Sequence, residues 1–389
     1  MNRPGRKVRW VLGGMLLSVL ALLVILYPEL NKRWNTPLGP EASHPSITPG
    51  LPAETESTPV SSPLASRQDS AAEAGNVPQT PASGSPTAIV IPTETPQPLC
   101  GGPPIMTILA VGADNREDSY TYGLADVIRI VRVDFVTPRV TVFSLPRDLW
   151  VEIPDISDSN GITHGKLNQA YFYGTPGMGY YDGPGGAAGL LARTLDVNFG
   201  LRVDHYGVVN MQTFVRIVDA VGGVDVHLPR DVDGGPTADF PWDLGYYSAG
   251  QHHLNGEQAL TLSRIRHKYS DFFRMESQSY VICALKDKIT TPAIISEIPQ
   301  LISDFQDSVL TDLTPQQLAQ LACLAPKLKS EDLLFTGLPQ EILSSGRVYS
   351  PGLRDETSSL QADPLVVRDY VDRLAAGRWP DVPDEPFCP

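Results

Sequence analysis

The chain has 389 residues, with 44 acidic and 30 basic side chains and a formal net charge of −14. An acidic balance of this size argues against nonspecific nucleic-acid binding, and the length suffices for one large domain or two small ones. Proline is abundant at 36 residues, and many of these lie before residue 105. The composition therefore separates a proline-rich N-terminal part from a C-terminal part of ordinary globular character.

The first 27 residues predict a membrane anchor. Residues 1–9 carry four basic side chains, and Trp10–Tyr27 contains no charged residue. A membrane span needs about 17–25 apolar residues, so this run is short but sufficient, and its basic flank is expected to stay in the cytoplasm. We interpret residues 1–9 as a cytoplasmic N-terminus and residues 10–27 as a single-pass anchor in the cell membrane, with the rest of the chain extracytoplasmic. A cleaved signal peptide is the alternative.

Residues 28–103 are predicted to form an extracytoplasmic linker. From residue 36 onward they are rich in Pro, Ser, Thr, Ala and Gly and contain almost no aromatic residues. Such a sequence buries too little apolar surface to offset the entropy cost of ordering it. We expect an extended tether that lifts the folded domain, residues 104–389, away from the bilayer.

The folded part mixes predicted strands with predicted helices. Apolar, β-branched runs predict strands at Ile105–Val111, Val127–Phe135 and Val140–Leu145, with an antiparallel turn between the last two. Further strands are predicted at 203–210 and 224–228, and helices at 167–173, 186–195, 211–220, 255–267, 274–289 and 314–325. This mixture indicates an α/β or α+β class.

Acidic and basic side chains occur together at the ends of the first three strands: Asp114 with Arg116, Asp126 with Arg129, and Arg147 with Asp148. The rim formed by strand ends is where α/β proteins bind ligands. Two carboxylates at such a rim suit Mg²⁺, which takes few protein ligands and keeps its waters for phosphate. The alternative for Asp114 is an Asx turn after Gly112. No Ser/His/Asp or Cys/His set accompanies these charges, so metal and phosphate chemistry fits better than acyl transfer.

A second charged stretch lies between Glu257 and Gln278. Arg264 and Arg266 close one predicted helix, and Asp271 and Arg274 open the next. Arginine binds phosphate with two parallel hydrogen bonds, and a helix N-terminus adds backbone donors. Solvated charges that complement the helix dipole are an equally good interpretation.

The chain contains four widely spaced cysteines, which outside the cytoplasm suggest two disulfides. Three pairings are possible. We favour Cys283–Cys323, which would join two helices, and Cys100–Cys388, which would close the ends of the domain.

Seven motifs between Ile105 and Leu374 stand in an order that resembles the LytR-CpsA-Psr family. They are AVGADNRED, LADVIRIVRVD, SLPRD, GKLNQAY, VDAVGGVDV, LNGEQALTLSRIRH and DFFRMESQ. The resemblance implies an α/β fold with a central mixed β-sheet flanked by helices. It also implies Mg²⁺-dependent transfer of a glycopolymer from a polyprenyl-pyrophosphate carrier to the bacterial peptidoglycan, through a phosphodiester bond. The polyprenyl chain would occupy an apolar tunnel between sheet and helices.

The resemblance further implies roles for single residues. Asp114 and Asp126 would hold the metal, and Arg147 would be catalytic. The pyrophosphate-binding set would be Arg147, Arg264, Arg266, Arg274 and Gln278, with Asp271 supporting it, while Lys166 and Arg116 lie in matching motifs. The base that activates the acceptor hydroxyl would be a carboxylate, with Asp126 and Asp148 as the candidates.

The chain departs from the family pattern at two positions. The family usually has arginine two residues before the second metal aspartate, where this chain has Leu124, and often has arginine at the position of Ser277. Loss of such a cation weakens transition-state stabilisation. Two alternatives to a transferase therefore stay open: a module that binds polyprenyl phosphates without turnover, and an envelope regulator.

Overall fold

The computed structural model describes residues 31–42, 96–115, 119–305, 307–381 and 387–388. The predicted anchor at residues 10–27 lies outside these ranges, as do residues 43–95 of the predicted linker. Across the described part, no helix is both long enough and apolar enough to cross a membrane.

Fourteen strands are found in the described residues. They are β1 (Ile105–Ala113), β2 (Ala125–Asp134), β3 (Arg139–Ser144), β4 (Trp150–Glu152), β5 (His164–Lys166), β6 (His205–Asn210), β7 (Val224–Leu228), β8 (Val232–Asp233), β9 (Tyr246–Tyr247), β10 (Gly250–Leu254), β11 (Leu310–Thr311), β12 (Leu333–Gly337), β13 (Ser344–Ser350) and β14 (Asp355–Gln361).

Eight α-helices, counted over residues 96–381 as described, accompany the strands. They are α1 (Leu167–Tyr173), α2 (Gly186–Phe199), α3 (Met211–Ala220), α4 (Gly256–Leu262), α5 (Asp271–Ile289), α6 (Pro292–Phe305), α7 (Pro315–Leu324) and α8 (Pro364–Ala375). The predicted bounds of α1 and α3 are confirmed. Helix α2 runs four residues further than predicted and ends where Gly200 adopts the left-handed conformation that closes many helices.

A six-stranded mixed sheet forms the centre of the fold, in the order β11–β6–β1–β2–β3–β12. Strands β1, β2 and β3 pair antiparallel, which confirms the predicted turn between the second and third. Strand β6 runs parallel to β1, and β12 runs parallel to β3. The predicted mixed sheet flanked by helices is therefore present.

The two faces of this sheet differ in side-chain size. One face carries large apolar residues such as Leu109, Val111 and Ile130, which pack in one core with residues of α1 and α2. On the opposite face, toward α3 and α5, the inner strands carry small residues, among them Ala110 and Gly207. Because side chains alternate between the faces of a strand, this pattern fills one side of the sheet and leaves space on the other.

The stretch between α4 and α5 departs from the predicted helix at 255–267. Helix α4 begins at a capping box formed by Asn255 and Gln258 and ends at Leu262. The Ser263 hydroxyl donates to the Ala259 carbonyl at 2.8 Å, a local bond that competes with regular helix geometry. Helix α5 then begins after the N-cap Ser270. Arg264 and Arg266 were predicted to close this helix. They lie instead in the turn that follows it.

The predicted disulfide pairing is wrong. The bonds are Cys100–Cys323 and Cys283–Cys388. Cys100 lies in a short 3-10 helix beside α7, so Cys323 is its neighbour, whereas Cys388 packs with Cys283 of α5 in a small separate core. The prediction assumed that two helical cysteines would pair, but pairing depends on spatial proximity that residue spacing does not reveal.

Residues 38–42, which belong to the predicted linker, contact the folded domain. The Leu38 N–H donates to the Leu313 carbonyl at 3.3 Å, and the Tyr206 hydroxyl donates to the Pro40 carbonyl at 2.8 Å. The Ala42 N–H donates to the Asp312 carboxylate at 3.4 Å. This short segment is therefore attached at the β6–β11 edge of the sheet.

Candidate functional site

The functional side chains gather at one edge of the central sheet. In the β1–β2 register Ala113 lies opposite Ala125, so Asp114, just after β1, and Asp126, near the start of β2, reach the same edge. The β2–β3 register pairs Arg129 with Ser144, which brings the residues just beyond β3, beginning with Arg147, to this edge as well. The antiparallel pairing of β1, β2 and β3 thus brings residues from three separate parts of the sequence to one site.

Arg147 lies at the centre of the cluster. Its Nη1 donates to Asp126 Oδ1 at 2.5 Å, and its Nε lies 3.7 Å from the Asp148 carboxylate and 3.8 Å from that of Asp271. Burial alone would lower the pKa of Arg147, but the three carboxylates together raise it. The guanidinium therefore stays charged and is held in position from three sides.

Two further cations balance the carboxylates. Lys166 Nζ lies 3.0 Å from Asp148 Oδ1, and Arg274 Nη2 lies 2.9 Å from Asp271 Oδ1. Arg274 also donates to the Asp126 carbonyl at 3.3 Å. Burial is the main cause that lowers the pKa of Arg274, although the neighbouring Asp271 opposes it. Cations and anions are thus interleaved, and the carboxylates hold the cations in fixed orientations.

Asp114 is fixed by the backbone of Leu124. The Leu124 N–H donates to Asp114 Oδ1 at 2.7 Å, and the Asp114 N–H donates to the Leu124 carbonyl at 3.0 Å. The leucine side chain itself borders a polar cavity beside the cluster. This chain therefore keeps the backbone clamp on the carboxylate, while the position offers no cation to a substrate.

An apolar cavity of about 400 Å³ opens on the small-residue face of the sheet. Its floor comprises strand residues such as Ala110 and Gly207, and its walls come from helices α3, α4 and α5. The helix residues are large and apolar, for example Phe214, Leu260 and Ile282. A cavity with this lining suits a hydrocarbon chain.

A second cavity, of about 410 Å³, lies on the other side of the charged cluster. Its walls are polar and include Arg147, Asp148, Lys166 and Asn168, and the β13–β14 hairpin adds Leu353 and Thr357. The two cavities share three lining residues: Asp114, Asp126 and Arg266. The charged cluster therefore stands where an apolar space meets a polar one.

The structure brings most of the predicted site residues together, but they differ in burial and in ion pairing. Asp114, Asp126, Asp148, Asp271, Arg147, Arg274 and Lys166 form the cluster just described, and Gln278 stands beside it and donates to the Ser263 carbonyl at 3.1 Å. Arg264 and Arg266 are exposed at the cavity wall, and neither takes part in an ion pair with any described residue. Arg116 lies outside the described residues.

Sequence reasoning missed two contributors. Arg129 was noted as a strand-end charge and was not included in the predicted pyrophosphate-binding set, yet it is 3% exposed and borders the apolar cavity. The sequence did contain a signal for this burial, because an arginine inside the apolar run DVIRIV is expected to lie in a buried strand away from the surface. The β13–β14 hairpin gave no such signal, because its polar sequence does not indicate where it folds back.

The family comparison agrees with this architecture. The model of the LytR_cpsA_psr family matches residues 102–362. The chain belongs to this family. The match covers the whole central sheet and the charged cluster, and it includes the β13–β14 hairpin.

Several curated proteins are similar to this chain at modest sequence identity. A polyisoprenyl-teichoic acid–peptidoglycan teichoic acid transferase TagU from Enterococcus faecalis is 27% identical over 62% of this chain and 74% of its own length. A TagU from Oceanobacillus iheyensis is 31% identical over 56% of this chain and 61% of its own length. The regulatory protein MsrR of Staphylococcus aureus is 27% identical over 54% of this chain. For the Oceanobacillus and Staphylococcus proteins, the chain spans less than two thirds of the relative's length, 56% in the case of MsrR.

Solved structures share the fold. The chain resembles B. subtilis TagV with a TM-score of 0.53 at 22% identity, over 71% of this chain and 98% of that one. It resembles protein gbs0355 of Streptococcus agalactiae with a TM-score of 0.56 at 24% identity, over 72% of this chain and 90% of that one. At these identities the likeness establishes the shared fold and nothing further.

Proposed function

We propose that this chain transfers a glycopolymer from a polyprenyl-pyrophosphate carrier to peptidoglycan, with formation of a phosphodiester bond. One observation carries the proposal: the charged cluster around Arg147 stands where the apolar cavity meets the polar one. In a glycopolymer linked to polyprenyl pyrophosphate, the hydrocarbon chain would occupy the apolar cavity, the two phosphates would contact the charged cluster, and the glycan would occupy the polar cavity. The activity named for the TagU relatives belongs to the same class.

The reaction breaks the phosphoanhydride bond of the carrier and forms a phosphate ester bond to the acceptor. An acceptor hydroxyl attacks the phosphorus that carries the glycan, the bond from this phosphorus to the bridging oxygen breaks, and polyprenyl phosphate leaves. Such transfers depend on positioning and on neutralising phosphate charge, and Arg147 and Arg274 supply fixed cations for both. The hydroxyl proton passes to a carboxylate. Asp126 and Asp148 both border the polar cavity, and because Asp126 is a proposed metal ligand, Asp148 is the proposed proton acceptor.

Asp114 and Asp126 are the proposed magnesium ligands. Both residues line the apolar cavity and the polar cavity, so their carboxylates lie at the edge of the sheet where a metal and a phosphate would meet. A site of two carboxylates suits Mg²⁺, which completes its shell with water and substrate phosphate. When bound there, Mg²⁺ would neutralise charge on the phosphate oxygens.

We further propose that the protein is anchored in the cell membrane with its folded domain outside the cytoplasm. The basic residues 1–9 and the uncharged run Trp10–Tyr27 support the anchor. The two disulfides support the location, since such bonds persist in oxidising compartments.

A second candidate function is lipid binding without turnover. It is favoured by Leu124, which borders the polar cavity at the position where the resemblance leads us to expect an arginine. The regulatory name of the MsrR relative belongs with the other alternative, an envelope regulator. Both candidates use the same apolar cavity, so lipid binding alone does not separate them.

The decisive experiment uses the full chain in lipid nanodiscs. A polyprenyl-pyrophosphoryl disaccharide and a peptidoglycan oligosaccharide are added with Mg²⁺ or with chelator, and mass spectrometry detects the acceptor carrying the glycosyl phosphate. We expect Mg²⁺-dependent product, reduced roughly 100-fold or more in Arg147→Ala because a preorganised cation is lost. Arg347→Ala, which removes an exposed arginine of β13 paired with Glu356, is the control. Lipid binding without any product in the wild-type chain would favour the second candidate.

A further inference from the structure

Arg129 is a buried cation without a counter-ion among the described residues. Its side chain projects from β2 toward α5 and is 3% exposed. Nη1 donates to the Ser279 hydroxyl at 3.0 Å, and Nη2 donates to the Met275 carbonyl at 2.9 Å and lies 3.4 Å from Gln278 Oε1. All three acceptors are neutral, and Nε has no partner.

The other buried arginine of the same strand shows the usual arrangement. Arg132, three residues further along β2, is 7% exposed, and its Nη1 lies 3.6 Å from the Asp134 carboxylate. Burial of a charge that lacks such a partner is costly. Burial lowers the pKa of Arg129 to about 10, so the side chain remains a cation at neutral pH. A buried cation without a counter-ion can bind an anionic ligand, because the anion would supply the missing counter-charge.

Arg129 also lies in the right place to meet a phosphate. It borders the apolar cavity, and it shares a narrow cleft with Asp126, Arg147 and Arg274. The other two arginines of the cleft are already paired with Asp126 and Asp271. Arg129 is thus the cleft's cation without an anionic partner among the residues described, and it borders the hydrocarbon space, as Arg274 does and Arg147 does not.

We propose that Arg129 binds the lipid-proximal phosphate of the polyprenyl-pyrophosphate carrier and positions it as the leaving group. The inference rests on the proposed function and adds a residue to it. When the bond between the bridging oxygen and the glycan-bearing phosphorus breaks, the electron pair stays on polyprenyl phosphate, whose charge becomes more negative. A cation beside that phosphate favours departure, while Arg147 and Arg274 neutralise the phosphate that is transferred.

The test compares two probes on the full chain in lipid nanodiscs. Geranylgeranyl pyrophosphate carries the phosphates, and geranylgeraniol carries only the hydrocarbon chain. In Arg129→Met, which keeps side-chain length and removes the charge, we expect affinity for the pyrophosphate to fall roughly 10- to 100-fold, as for a lost hydrogen bond to a charged group. Affinity for the alcohol should stay within twofold. Arg129→Lys should recover part of the loss, because it retains a positive charge.

Thermal unfolding without ligand separates this role from a structural one. Removal of a buried, unpaired charge should leave the melting temperature unchanged or raise it, and Arg129→Met should also lose the stabilisation that inorganic pyrophosphate gives the wild type. Arg132→Met is the matched control: it breaks an existing ion pair, so it should lower the melting temperature and leave the preference for pyrophosphate over alcohol intact.

The inference is overturned if Arg129→Met binds both probes like the wild type, or if it weakens both equally and melts earlier. Either result is distinct from a failure of the proposed function. That failure would appear in the wild-type chain itself, as equal affinity for pyrophosphate and alcohol or as absence of the transfer product.

Discussion

Substitution of Gly207 tests whether the apolar cavity holds the hydrocarbon chain. Gly207 lies in β6 on the cavity floor, and a Cβ built there meets no heavy atom within 4 Å. A larger side chain would therefore project into the open space and displace ligand instead of protein. Because glycine in a strand is destabilising relative to alanine by about 0.5–1 kcal/mol, we expect the substituted chain to be at least as stable as the wild type.

The expected effect on lipid binding follows from the atoms displaced. Leucine adds four carbons, and each buried methylene is worth about 0.8 kcal/mol, so Gly207→Leu should cost about 3 kcal/mol of lipid affinity. This corresponds to roughly a 150-fold rise in Kd. Gly207→Ala adds one carbon and should raise Kd only about fourfold. The two variants thus form a graded series.

Equilibrium binding of geranylgeranyl pyrophosphate to the full chain in nanodiscs, with empty nanodiscs as the blank, measures the series. Gly346→Leu is the matched control, since it places the same side chain in β13, where the nearest atom to a Cβ is the flexible end of Gln361. A Gly207→Leu chain that melts like the wild type and binds the probe within twofold of it would refute the assignment of this cavity to the lipid.

Three further predictions concern other parts of the molecule. Leu124→Arg places a cation beside the polar cavity and should raise the rate of product formation about tenfold or more; an unchanged rate would mean that a missing cation does not limit turnover. Replacement of Cys283 and Cys388 by serine opens a loop of 105 residues and should lower the free energy of unfolding by about 2–5 kcal/mol, measured by urea titration. Burial, with help from two nearby arginines, lowers the pKa of His267 below 6.5. Its unfolded form therefore binds more protons, and stability should fall as pH decreases below 6.5. His267→Phe should reduce that fall in melting temperature between pH 7 and 5, and an identical pH profile in both chains would contradict the assignment.

The central meander was predictable because its information is local. Apolar β-branched runs bounded by Gly and Pro mark the strands, and a single turn between β2 and β3 decides their pairing. The strand-end charges then converge without further assumptions, so the cluster of Asp126, Arg147 and Asp148 follows from the order of the strands.

Other features depend on contacts distant in sequence. Cys100 pairs with Cys323 across 223 residues because α7 lies beside the start of β1, and residue spacing does not encode that neighbour. Helix α4 ends at Leu262, where the apolar periodicity predicted a longer helix. The environment of Arg129 depends on how its strand packs against α5. An arginine in a predicted strand indicates a positive charge, but the sequence does not show whether a carboxylate lies within reach.

The attachment of residues 38–42 has a consequence for the distance over which the protein works. The chain returns to the same domain at Leu99, whose N–H donates to the Phe135 carbonyl at 2.8 Å. Both ends of the proline-rich stretch are thus fastened to one body, and its length does not separate domain from membrane. In the proposed anchored arrangement only residues 28–37 do so, and ten residues extend at most about 35 Å. That arrangement would keep the charged cluster close to the bilayer, so the glycan strands within its reach would be those at the membrane face of the wall.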